Sequence, residues 1–351
     1  FQHKTFNAKT KSEAFIVCDS MLKRIKRMFA CILAWLLFFY TTLYPFCLRH
    51  ESVNYFLQQT FHRGAAICTI QKDGVKYLDE WVDYNFAIGF EKIYIYDNSD
   101  NFELRKWYEG RSRNADQIDI KHFPGEARQQ ESIGDCGKAI KRKRSHSWIA
   151  FIDIDEFIVF KESPKKYHNI MDLLDTVSPS AGGLAINWEY FSFNNQTKYE
   201  PKPVTKRFQS RGNPEEGRDN HVKTIARTSK FASQGNTPHY VLYTDGAESV
   251  DTSGNYLHEE PWFNPKLTTD VVVLQHFYTK SIEEFQLRCA RGRADIAKQN
   301  VLTVPLYCMN KTEIMTQLPE AKDRVFDDSA WQVLKESLPE VYAKYDGEDM
   351  I

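Results

Sequence analysis

Residues 151–160, FIDIDEFIVF, form an apolar, β-prone run interrupted by two aspartates one residue apart. An unpaired carboxylate inside an apolar strand is costly, so Asp153 and Asp155 call for a cation or a dense set of donors beside them. The run reads as a buried parallel strand carrying both side chains on one face near its carboxyl end, where open α/β sheets bind ligands. The cation that suits hard carboxylates there is a divalent metal holding a diphosphate. Glu156 points the other way in an extended strand and reads as a supporting or salt-bridging residue.

The flanking sequence alternates between strand-like and helix-like segments, the signature of a doubly wound α/β domain. Residues 65–70 read as a first buried strand, and Val75, Leu78, Trp81, Val82 and Phe86 recur behind it at helical spacing, with Gly89 ending the helix. Residues 92–96 form a second strand closing in Asp97, Asn98 and Ser99; 117–122 form a third; 127–143 form the helix leading to Trp148 and the aspartate pair. No Gly-x-Gly-x-x-Gly follows the first strand, which disfavours a dinucleotide fold and leaves the phosphates to a metal. Downstream, 183–188 reads as a strand and the Pro-rich, charged stretch 200–219 as a long loop or acceptor-facing insertion. Strands resume at 221–226 and 271–277, and helices are expected over 281–298 and 329–342.

At 351 residues and 42% hydrophobic content the chain can bury one large core or two modest ones, and its net charge of −1 offers no general case for nucleic acid. The basic run from Lys138 to Arg144 reads as the solvated end of a helix, where cations suit the macrodipole. Lys23, Arg24, Lys26 and Arg27 precede the uncharged run 28–48, long enough as a helix to cross a bilayer. These features predict a cytoplasmic segment 1–27, a signal anchor 28–48, a short stem 49–63 and a lumenal body 64–345: a single-pass type II protein of the Golgi or endoplasmic reticulum. Sequons at Asn195 and Asn310, and cysteines 68, 136, 289 and 308 beyond the anchor, fit that compartment. Proximity alone pairs Cys289 with Cys308.

Four blocks, AAICTIQKDGVKYLDEWVDYNFAIGFEKIYIYDNSD, WIAFIDIDEFI, HVKTIAR and LQHFYTKSIEEFQLRCARGRAD, stand in this order over 64–295. Together they resemble glycosyltransferase family 92 within the GT-A, family-2-like superfamily. The resemblance implies an α/β fold of GT-A type: a Rossmann-like mixed sheet with helices on both faces, preceded here by the membrane helix. It implies a metal-dependent hexosyltransferase with Mn²⁺ or Mg²⁺, moving galactose from UDP-galactose onto a glycan with inversion. One stretch departs from the family pattern: Trp188-Glu189-Tyr190-Phe191-Ser192-Phe193 stands where members carry Trp before a Phe-Gly-rich turn.

The expected metal ligands are Asp153, Asp155 and His276, with Asp153 also able to take a ribose hydroxyl; a hydrogen-bonded core histidine is the alternative for His276. Lys280 would neutralise the leaving diphosphate. Asp97 matches a base- or ribose-reading position, or an Asx-turn. Lys72, with Asp73, could line the same pocket; Lys223 and Arg227 could contact phosphate or belong to a solvated edge strand. Glu189 is the expected catalytic base beside Trp188, with Glu259 or Asp219 as substitutes, and His239 is structural or acceptor-side. Two other classes fit the same residues: a glycan-binding module without transfer, and a metal-dependent phosphoesterase or nucleotidyltransferase, which wants more clustered carboxylates.

Overall fold

In the computed structural model, which describes residues 61–161, 166–213, 218–292, 294–295 and 324–346 with separate positions between 21 and 41, strand β1 (Ala65–Gln71) is buried along its whole length. Its two faces serve different cores. Ala65 and Ile67 pack with Ile93, Ile95 and Ala150 under Leu78, Trp81 and Val82 of helix α1 (Val75–Ala87). Ala66, Cys68 and Ile70 pack with Ile149, Phe151 and Phe231 on the opposite face. The strand period of two therefore sorts one apolar run into two layers.

The sheet has nine strands: β1, β2 (Lys92–Asp97), β3 (Ile118–His122), β4 (Trp148–Phe151), β5 (Glu156–Phe160), β6 (Gly183–Tyr190), β7 (Val222–Arg227), β8 (Ser249–Val250) and β9 (Val272–His276). The order is β3-β2-β1-β4-β7-β6-β9-β5, with β8 beside the start of β6. β1 to β4 are mutually parallel, β7 is antiparallel to both neighbours, β9 is parallel to β6, and β5 is antiparallel to β9. The mixed α/β architecture fits a GT-A-like fold. Helix α2 (Leu104–Gly110) follows β2, and α3 (Gln129–Lys143) covers the second face through Ile133, Cys136 and Ile140.

The run 151–160 is not one strand. β4 stops at Phe151 and β5 starts at Glu156, and the Glu156 N–H donates to the Asp153 carbonyl at 3.1 Å, closing a turn over the aspartates. A turn removes both carboxylates from a ladder in which they would be desolvated. It also bends the sheet. A flat sheet would put β4 and β5 about 19 Å apart, beyond the ~17 Å that five extended residues span. The far strands curl back instead, and Lys223 of β7 lies 3.7 Å from Glu156 of β5.

Other expected elements shift for local reasons. Within the described part of 200–219 the chain is docked: α4 (Ile170–Leu174) is followed, beyond β6, by α5 (Val204–Arg207), whose Val204 and Thr205 N–H groups donate to the buried Glu80 carboxylate at 2.6 and 2.8 Å, while 214–217 lie outside the described residues. α6 (Ile282–Arg291) opens on a Ser281/Glu284 capping box and ends at Gly292, whose φ of 89° breaks it short of 298; residues 296–323 lie outside the described residues. The last expected helix divides into α7 (Ser329–Ser337) and α8 (Pro339–Tyr342), since the residue before a proline avoids helical ψ.

Cys68 of β1 is disulfide-bonded to Cys136 of α3, a pairing that chain proximity did not offer. Cys289 is also disulfide-bonded, while Cys308 lies outside the described residues. The chain divides into two units, 1–58 and 59–351. In the first, the described positions from 21 to 38 are helical, with Phe29, Leu33 and Trp35 exposed. Among the described residues no helix is long and apolar enough to cross a membrane, and 42–60 lie outside them.

Candidate active site

The carboxyl ends of β1, β2, β4, β6 and β9 point the same way, and antiparallel β7 brings its first residues, Val222 and Lys223, to that edge. Asp153 is held there from two sides. Gln129 Nε2, at the start of α3, donates to Oδ1 at 2.9 Å and Lys223 Nζ to Oδ2 at 2.8 Å. Glu156 is wholly buried beneath the turn, where Oε2 accepts the Asp153 N–H at 2.8 Å. Burial raises its pKa well above the ordinary carboxylate range, and Lys223 offsets only part of that.

Asp155 faces a second group of cations. Its Oδ2 accepts from Lys280 Nζ at 3.0 Å and Arg288 Nη1 at 2.8 Å, and its Oδ1 lies 3.8 Å from His276 Nε2. Burial alone would raise its pKa, but Lys280 and Arg288 outweigh burial and hold it far below the usual range. Burial also keeps His276 neutral at physiological pH. The His276 ring centroid lies 4.3 Å from that of Trp188, and among the described residues neither of its nitrogens, nor the Trp188 Nε1, has a hydrogen-bond partner although all three are buried. Unsatisfied buried polar atoms cost about 1–3 kcal/mol each, so His276 Nε2, 3.8 Å from the Asp155 carboxylate, marks a place for a ligand.

A hard divalent cation fits Asp155 with the free imidazole nitrogen of His276. Asp153 stands at the other end of the turn, on Lys223 and Gln129 rather than on His276, so the expected trio divides into a pair and a neighbour. Among the described residues no group of three or more His, Cys, Asp or Glu side chains is set to hold a metal by itself.

The other expected residues separate. Lys72 is at the same edge, its Nζ 3.9 Å from Asp100 and its carbonyl accepting Arg291 Nη1 at 2.7 Å. Asp97 is fully buried and already committed, accepting from Gln71 Nε2 and the Ser99 and Leu104 N–H groups at 3.1, 2.9 and 2.8 Å, which is the Asx-turn reading. Arg227 lies at the far end of β7, donating to the Val177 carbonyl at 3.1 Å, and is not brought to the site. His239 closes on Trp188, centroids 5.1 Å apart, with Nδ1 on the Val222 carbonyl; burial and the nearby Lys223 charge push its pKa down to about 3.

Glu189 is turned away. Trp188 and Tyr190 face His276, so the intervening Glu189 occupies the other face of β6, where Oε2 meets Lys161 Nζ at 2.9 Å and Oε1 meets Arg211 Nε at 3.2 Å. Strand alternation, applied from Trp188, was the signal that placed it there. Arg288 and Gln129 escaped the sequence reading: Arg288 sits one turn before the end of α6, and Gln129 has nothing but its place at a helix start to single it out.

A model of glycosyltransferase family 92 matches residues 65–260, more than half of the chain and the whole span from β1 through the paired aspartates to β8. A glycosyltransferase family 92 protein of Oryza sativa subsp. japonica is 27% identical over 141 residues, covering 40% of this chain and 23% of that protein. Others from Ricinus communis and Arabidopsis thaliana are 31% and 28% identical over 91 and 94 residues, covering 26% and 27% of this chain and 16% of each relative. The chain thus spans about a quarter or less of the length of the curated relatives it matches. The family match covers the fold from β1 to β8 with the aspartate turn and Lys223, while His276, Lys280 and Arg288 lie beyond it, and the chain belongs to glycosyltransferase family 92.

Proposed function

We propose that the chain is a metal-dependent glycosyltransferase that uses a nucleotide diphosphate sugar and a glycan acceptor, with UDP-galactose as donor and inversion at the transferred carbon. The observation that carries the reading is the turn at Asp153–Asp155: two carboxylates at the strand ends, ringed by Lys223, Lys280 and Arg288, beside a buried imidazole with no hydrogen-bond partner among the described residues. Asp155 and His276 would hold Mn²⁺ or Mg²⁺, which would supply charge neutralisation to the departing diphosphate. Lys280 adds a fixed cation on the same side. Asp153 accepts from Lys223 and Gln129 and presents its carboxylate toward a ribose hydroxyl. Trp188 gives the transferred or accepting sugar an apolar face. The base that takes the acceptor proton has to lie on the Trp188 face, and Asp219, whose Oδ1 accepts the Tyr190 N–H at 3.2 Å, is the buried carboxylate at that rim. Glu189 belongs to the ion cluster on the other face.

The same proposal places the body in the lumen of the Golgi or endoplasmic reticulum, anchored through 28–48 as a type II membrane protein. The Cys68–Cys136 disulfide belongs to an oxidising compartment, and Asn195 of the first sequon is exposed on a turn. Asn310 lies outside the described residues. Calorimetric titration of the full chain with UDP tests the reading: binding is expected with Mn²⁺, is lost in EDTA, and is lost in Asp155→Asn. Equal binding in EDTA would remove the metal from the account.

A further inference from the structure

Arg288 shares one carboxylate oxygen with Lys280. Both donate to Asp155 Oδ2, at 2.8 and 3.0 Å, while the Arg288 guanidinium lies 3.8 Å from the Tyr278 ring centroid. Lys280 also donates to the Phe277 carbonyl at 2.9 Å, and Arg291, one turn beyond Arg288, donates to the Lys72 carbonyl. Charge around Asp155 is therefore in excess: Lys280 and Arg288 both pair with this carboxylate, whereas Lys223 alone is matched by Asp153 and Glu156.

Such a cluster favours an anion. It also competes with a divalent cation on Asp155, because like charges a few ångströms apart repel strongly where solvent screening is weak. One cation has to yield. Each has a second acceptor, the Phe277 carbonyl at 2.9 Å for Lys280 and the Tyr278 carbonyl at a longer 3.5 Å for Arg288, but the Lys280 side chain is 8% exposed whereas that of Arg288 is 31% exposed and reaches Asp155 from a helix. A planar guanidinium suits two phosphate oxygens at once.

Resting on the nucleotide-sugar reading above, we propose that Arg288 is a diphosphate-binding residue that exchanges partners, leaving Asp155 for the donor's diphosphate when a divalent cation takes that carboxylate. The test uses the full chain and the variants Arg288→Ala and Arg288→Lys. Mn²⁺ alone is titrated by the electron paramagnetic resonance signal of the free ion, and UDP by calorimetry with Mn²⁺ saturating. The exchange predicts opposite signs. Arg288→Ala binds Mn²⁺ roughly tenfold more tightly, having lost the competitor, and UDP roughly tenfold to hundredfold more weakly. Arg288→Lys keeps the charge but not the fork, and falls between the two. Weakening of both ligands, or of neither, in Arg288→Ala overturns the exchange while leaving the site reading intact. If the unmodified chain binds neither Mn²⁺ nor UDP, the nucleotide-sugar reading fails and the exchange fails with it.

Discussion

At the residue scale the aspartate pair was legible because burial makes unpaired carboxylates conspicuous in an apolar run. Around it, Lys223 and Lys280 stood out as candidate cations, whereas Arg288 and Gln129, which reach the pair from helices α6 and α3, carried no local signal. Glu189 shows the limit of reading a carboxylate beside a tryptophan as its partner: adjacent residues of a strand face opposite ways. Its role is checked by separating folding from turnover. Glu189→Gln breaks a buried cluster with Lys161 and Arg211 and should cost about 3 kcal/mol of stability, seen as a lowered Tm, with kcat of the folded protein nearly unchanged. Asp219→Asn breaks the Asp219–Arg218 pair and should also lower the Tm, but in the folded protein it should lower kcat by roughly 100-fold or more. A large kcat loss in Glu189→Gln with intact folding would restore it as the base.

At the element scale, periodicity located the strands and helices of the first half well, and failed where ends are set by contacts distant in sequence. The docking of α5 on Glu80 depends on residues far apart in the chain, and the turn at 153–156, though closed by a local bond, carries carboxylates met by the distant Lys223. The seat of α3 on the sheet is a case in which magnitudes compete. A Cβ at Gly137 would come within 2.4 Å of the buried Phe231 ring, an overpacking cost of about 1–3 kcal/mol. The helix-propensity gain from Gly to Ala is about 1 kcal/mol. Gly137→Ala should therefore lower the Tm; a rise would mean that the ring moves aside freely.

α6 carries a second test. Glu284 is paired with Arg207, both oxygens accepting at 2.8 Å, and these bonds overcome burial to bring its pKa down to about 2. A folded pKa below the ordinary value means stability that is complete above about pH 4.5 and lost as pH falls toward 2. Urea midpoints measured from pH 6 to 2.5 should decline through this window, and Glu284→Gln, less stable at pH 6, should show a shallower decline.

At the scale of the whole molecule, the α/β class and the strand edge that carries the site could be read from the order of segments. The curl of the sheet and the Cys68–Cys136 link could not, because neither leaves a local pattern. The disulfide ties β1 to α3, and α3 begins with the Gln129 that holds Asp153. Cys68→Ala with Cys136→Ala should lose about 2–4 kcal/mol of stability and weaken UDP binding in the same preparation. An unchanged melting curve would show that the link is dispensable.

The central claim is transfer of a sugar from a nucleotide donor under metal control. It is tested most directly by nucleotide release from a panel of UDP- and GDP-sugars, using the full chain with a glycan acceptor, in Mn²⁺ or EDTA, with Asp155→Ala as control. The account predicts Mn²⁺-dependent UDP release from UDP-galactose that disappears in EDTA and in the variant. Absence of nucleotide binding and release with every donor and metal would contradict it and leave a glycan-binding module as the reading of the fold.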